Sequence, residues 1–252
     1  MGKIKIFIGI DQTGAVNHKG EPRHLNVSLI DLRKKPIYLT GLKLTGLTFF
    51  SVQSLLQENI SQIKNHQVLI CVDTVFGLPH ELQTKPQEIM KRSKKFSYNQ
   101  KNYGAETAYN FFKQFLLSEV IPERTVETLV KANSVFNLKP YQKNIGCGSY
   151  RIIKNLAQDP TWFSLWPFDK LDKQFIIAEG YPSYFWRTEF NCPRRDLKYL
   201  SEKFKKLNFA NLDHADSFVL AYGASKSLDK LSTIKLSKKT QHEGWILGVP
   251  YA

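Results

Sequence analysis

Three apolar stretches that read as β-strands each stop at an acid: Lys3–Ile10 before Asp11, Val68–Val72 before Asp73, and Gln174–Ala178 before Glu179. No other feature of the chain restricts its fold so tightly. In the first stretch Ile4, Ile6, Ile8 and Ile10 alternate, which is the period of a strand. The second is apolar without interruption, as a strand covered on both faces requires. Between them Val52, Leu55, Leu56, Ile60 and Ile63 recur at helical spacing behind Ser51, a suitable N-cap. A helix there supplies the crossover that parallel neighbours need.

Leu25–Leu32 and Ile37–Leu44 read as two more strands, joined by a basic turn at Arg33, Lys34, Lys35 and Pro36. With the first strand they form an antiparallel meander. From about 82 to 145 the pattern is basic and helical, with helices near Ala105–Val120 and Glu123–Ala132, and it reads as an insertion in one domain spanning 1–252. Ser149–Gln158, Asp196–Leu207 and Asp213–Leu228 read as later helices. The class is α/β. The 17 Phe, 11 Tyr and 4 Trp give a core for a chain of 252 residues.

Asp213 and Asp216 lie three residues apart, on one side of the first turn of the late helix. In a sheet with parallel neighbours the strand C-terminal ends share one edge, where ligands bind. Each acid alone also has a plainer role, as a turn residue or as a helix-start acid that suits the dipole. The joint pattern carries the functional case. Two like charges about 4 Å apart cost on the order of 4 kcal/mol at an effective dielectric near 20. Converging carboxylates therefore raise their pKa values or bind a cation. Oxygen ligands without clustered His or Cys favour Mg²⁺ or Mn²⁺. Two such ions, about 3.5–4 Å apart, can clamp the attacking and leaving oxygens of a phosphodiester.

The segments Gly9-Ile10-Asp11, Val72-Asp73-Thr74-Val75-Phe76-Gly77-Leu78-Pro79, Glu179-Gly180-Tyr181-Pro182 and Asp213-His214-Ala215-Asp216-Ser217 resemble an uncharacterised family of predicted ribonuclease H-like nucleases. The late helix, through Leu220-Ala221-Tyr222, is similar to the last helix of RuvC-type Holliday-junction resolvases. The resemblance follows chain order and is least marked over Leu82–Asn144. It implies a ribonuclease H-like five-stranded mixed sheet with helices on both faces. It also implies that Asp11, Asp73, Asp213 and Asp216 hold divalent metal and that Glu179 completes a catalytic set with them. Two positions depart from the pattern: Val75 stands where the family more often has proline, and Asp73 where resolvases have a longer glutamate. By this resemblance a homodimer is possible.

The net charge of +14 points to a polyanionic partner. Lys91, Arg92, Lys94 and Lys95, with Phe96, Tyr98 and Tyr103 interleaved, suit a nucleic-acid arm. Arg194 and Arg195 open a second basic run. His214, His242, Lys238 and Lys239 are further groups that could reach the site. Trp162, Trp166, Trp186 and Trp245 read as packing residues. Cys71, Cys147 and Cys192 form no C-x-x-C pair, which fits a reducing cytoplasm. No apolar run reaches the roughly 20 residues of a membrane span.

The expected function is metal-dependent hydrolysis of nucleic acid, DNA or RNA. Two other readings stay open. One is a non-catalytic nucleic-acid- or partner-binding module on the same fold. The other is an actin-like or sugar-kinase-like nucleotide-binding protein, because Asp11-Gln12-Thr13-Gly14 loosely resembles the first phosphate loop of those proteins.

Overall fold

The β-branched and apolar stretches assemble into one mixed sheet. The computed structural model describes residues 4–12, 16, 19–21, 23–33, 66–116, 122–132, 134 and 145–251, with the strand backbone of 37–40. The strands are β1 Ile6–Asp11, β2 Asn26–Asp31, β3 Ile37–Thr40, β4 Val68–Asp73, β5 Phe163–Trp166 and β6 Phe175–Gly180. The helices are α1 Pro86–Lys95, α2 Ala105–Lys113, α3 Thr125–Val130, α4 Ile145–Leu156, α5 Pro182–Phe190, α6 Leu197–Lys203, α7 Leu212–Lys226, α8 Lys230–Thr233 and α9 Lys238–Glu243. The expected helix over 51–65 lies outside the described residues.

The strand order is β3-β2-β1-β4-β6-β5. β1 runs antiparallel to β2, and β2 to β3. β1, β4, β6 and β5 are mutually parallel. The expected α/β class and five-stranded mixed arrangement stand in β3-β2-β1-β4-β6. A sixth strand, β5, extends the edge beside β6. Its four residues, Phe163–Trp166, are too few to show a period in sequence.

Alternation sorts the side chains between two core layers. Ile6, Ile8, Ile10, Val68, Ile70, Val72, Phe175 and Ile177 face α1, α2 and α4 on the first face. Phe7, Leu69, Cys71, Ile176 and Ala178 face α5 and α7 on the second. Ile4, just ahead of β1, packs on the second face rather than with its three neighbouring isoleucines. The segment read as an insertion supplies Ile89, Met90, Phe111 and Phe112 to the first layer. Its helices α1 and α2 pack on α4. Trp166, Trp186 and Trp245 are buried, as is Cys71.

Gly9 sets how closely α7 approaches the sheet. A Cβ there would lie 1.8 Å from the Ser217 carbonyl oxygen and 2.5 Å from the Ala221 nitrogen. With hydrogen in that place, α7 backbone rests directly on β1. A buried 2.7 Å hydrogen bond between the Ser28 and Ser217 hydroxyls ties the same helix turn to β2. Among the described residues no helix is long and apolar enough to cross a membrane.

A candidate metal centre at the carboxyl edge of the sheet

Asp11 and Asp73 meet because of register and parity together. Ile10 pairs with Val72 across parallel strands, so the next residues are neighbours on adjacent strands, which lie about 4.8 Å apart. Both turn to the α7 face, following Phe7 and Gly9 on β1 and Leu69 and Cys71 on β4. Their carboxyls share a hydrogen bond. The direct seat of α7 on Gly9 brings its first turns to the same edge, with Asp216 buried and Asp213 exposed in the first turn. Asn211, not an aspartate, caps this helix: its Oδ1 accepts from the His214 N–H at 2.9 Å.

Electrostatics records the convergence. Burial, then Asp73, Asp216 and Asp213 in that order, push the Asp11 pKa well above its ordinary value. Burial and then Asp216 and Glu179 push Asp73 up to about 7. Burial raises Asp216 as well, against the opposing pull of Trp186 and Arg195. Trp186 donates its indole N–H to Asp216 Oδ1 at 2.6 Å, and Arg195 pairs with Oδ2. Arg195, expected among phosphate-contacting residues, thus faces the acids; its neighbour Arg194 is exposed.

Glu179 reaches the same edge but not the same face. Val72 pairs with Glu179, and Asp73 with Gly180. Alternation therefore turns Glu179 with Ile177, away from Asp73. It accepts from Arg124 Nη1 at 2.8 Å through Oε2 and from Nη2 through Oε1. Arg124 is fully buried and also binds Glu127 at 3.1 Å. Burial opposes the Arg124 charge, but Glu179 and Glu127 more than offset it and raise its pKa. Glu243 joins this network, accepting from Thr125 N–H at 2.9 Å and His80 N–H at 3.2 Å. His242 packs edge-on to His80, beside Glu243. Lys239 pairs with Glu81 at 3.6 Å.

Two groups that sequence reasoning passed over support the acids. Trp186 was expected to pack only; its indole N–H orients Asp216. Gln12 donates to the Asp73 carbonyl at 3.1 Å, linking the ends of β1 and β4. Its amide occupies the space beside Gly148 at the start of α4, where a Cβ would lie 1.7 Å from it. Gln12 Oε1 and Thr74 Oγ1 are buried without a hydrogen-bond partner among the described residues. The signal for Trp186 and Gln12 is position, since Gln12 follows a site acid and Trp186 lies on the helix after β6. Arg124 has no local sequence signal.

The basic stretch stands elsewhere. α4 begins against Gln12 and ends at the opposite sheet edge, where Lys94 Nζ donates to the Gln158 carbonyl at 3.2 Å. Arg92 pairs with Glu88 at 2.8 Å and lies over the Phe115 ring. Lys91 and Lys95 are exposed.

Among the described residues no group of three or more His, Cys, Asp and Glu side chains is already gathered as a metal-holding set. The donor chemistry nonetheless fits a hard cation. On the α7 side of this edge the carboxylates of Asp11, Asp73, Asp213 and Asp216 share Arg195, and the two on the strands hold raised pKa values that a bound cation would lower. Comparison with protein-family models, with curated proteins and with solved structures gives no match to this chain.

Proposed function

We propose that the protein is a divalent-metal-dependent phosphodiesterase acting on nucleic acid, with a ribonuclease H-like arrangement of its acids. What supports the reading is Asp11 beside Asp73 at the carboxyl edge of parallel strands, with the charges of Asp216 and Asp213 acting on Asp11. The order β3-β2-β1-β4-β6, two antiparallel pairs followed by parallel neighbours, supports it. The charge of +14 supports a polyanionic substrate.

Asp11, Asp73, Asp213 and Asp216 would hold Mg²⁺ or Mn²⁺. When bound, such an ion supplies positive charge to the reacting phosphoryl group and acidifies water. The protein's own work is preorganisation. Register holds Asp11 beside Asp73, Gln12 fixes the loop that follows Asp73, and Trp186 orients Asp216. Exposed Asp213 stands at the solvent side, where substrate enters. Glu179 acts through Arg124, by anchoring α3 and the segment around Glu243 to the end of β6.

The test is cleavage of labelled single-stranded, duplex and junction DNA and RNA with and without Mg²⁺ or Mn²⁺. Metal-dependent cleavage that Asp11→Asn lowers by about 10³-fold or more is expected, given that electrostatic stabilisation at such centres carries this scale of rate. Equal cleavage by Asp11→Asn sinks the reading. Tight binding without cleavage under any metal leaves the non-catalytic binding module in its place.

A further inference from the structure

Asp216 has two oxygens held in different ways. Oδ1 takes the indole N–H of Trp186, which is 1% exposed and packed in the second core layer. That bond cannot open without disturbing the core. Oδ2 takes Arg195, whose side chain is 48% exposed while that of Asp216 is 1% exposed. Arg195 stands on the short loop between α5 and α6, after Asn191, whose φ is 52°, and Pro193. No helix or strand bond fixes it there. The guanidinium acts electrostatically on Asp11, Asp213 and Asp216. Its charge opposes the raised pKa values of Asp11, Asp73 and Asp216.

We propose that Arg195 is the resident counterion of the acid cluster, which a divalent cation displaces and which then engages the phosphodiester backbone. The proposal rests on the metal-dependent reading and adds the device by which the site exchanges one cation for another. The carboxylates of Asp11 and Asp216 are buried, and a buried charge without a partner is costly. Arg195 supplies the compensation until a divalent ion arrives. A divalent ion at the same oxygens and the guanidinium are like charges, so they compete. An expelled arginine stays tethered at the rim, beside exposed Asp213. Its planar fork suits phosphate oxygens bidentately. The same residue thereby couples loading of the metal to capture of substrate.

Calorimetric titration with Mn²⁺ at fixed ionic strength tests it, comparing wild type, Arg195→Gln, Arg195→Lys and Asp11→Asn. Arg195→Gln is expected to bind Mn²⁺ roughly tenfold more tightly, the scale of removing one partly screened like charge. Arg195→Lys is expected to fall between Arg195→Gln and wild type, and Asp11→Asn to bind most weakly. With Ca²⁺ in place of Mn²⁺, Arg195→Gln is expected to bind a short labelled oligonucleotide several-fold more weakly. Opposite signs for ion and oligonucleotide are what a merely structural arginine would not produce, and thermal melts verify that both variants fold. Unchanged or weaker Mn²⁺ binding in Arg195→Gln, while wild type binds and Asp11→Asn does not, overturns the counterion proposal and leaves the metal centre standing. Failure of wild type and Arg195→Gln alike to bind Mn²⁺ overturns the metal-dependent reading itself, and the proposal with it.

Discussion

Asp73 shows what convergence costs a single residue. In the unfolded chain its carboxyl loses its proton near the ordinary value of 3.8, whereas in the folded protein it keeps it up to about 7. Its contribution to stability is therefore full below about pH 4 and is lost as pH rises through about 7. Without divalent metal, the melting temperature of wild type relative to Asp73→Asn should fall by several degrees between pH 4.5 and 8, as thermal melts would record. Mn²⁺ should restore wild type and not the variant. Glu179 makes a contrasting case. Its carboxylate is committed to buried Arg124, so removing either partner strands charge inside the protein. Arg124→Met and Glu179→Gln should each lose about 3–5 kcal/mol in denaturant unfolding. Mn²⁺ affinity in Glu179→Gln should stay near that of wild type. A large loss of Mn²⁺ affinity with intact stability would add Glu179 to the metal-holding set.

The helix that brings Asp213 and Asp216 to β1 is seated by what one residue lacks. A Cβ at Gly9 would meet the Ser217 carbonyl oxygen at 1.8 Å, and a backbone atom cannot swing aside as a side chain can. Gly9→Ala must lift α7 off the sheet. It should cost about 3 kcal/mol or more and weaken Mn²⁺ binding in the fraction that folds, because overpacking displaces the elements it separates. Combined denaturant and Mn²⁺ titrations check both. The sequence shows a helix apolar on most sides over Asp213–Leu228, and that helix is present as Leu212–Lys226. It does not show where the helix lands. The small residue two places before Asp11 is the trace of that landing. It is legible only once the partner backbone is known.

At the scale of the molecule, the acids lie on the α7 face of the sheet and the basic stripe on α1, in the layer that covers the opposite face. From Gly148, beside Gln12, to Gln158, which Lys94 contacts, the chain rises about 15 Å along α4 and its last turn. Short oligonucleotides at the acids should not reach Lys94 and Lys95, whereas long ones should. Lys94→Glu with Lys95→Glu should leave the affinity for a tetranucleotide unchanged and weaken that for a long strand, with a shallower salt dependence. Equal weakening at every length would place the stripe in the site itself. The α/β class, the strand-end acids and the acidic start of the late helix were legible in sequence, because period and local charge are properties of adjacent residues. The sequence puts Glu179 in one catalytic set with the four aspartates Asp11, Asp73, Asp213 and Asp216. Only the tertiary structure separated them. Strand order set Asp73 beside Asp11, and register put Glu179 opposite Val72, where one residue of offset on a strand of period two reverses a side chain's face. Arg124 likewise lies far along the chain from Glu179, and Trp186 and Arg195 from Asp216. Their roles come from close packing between distant elements, which no local pattern encodes.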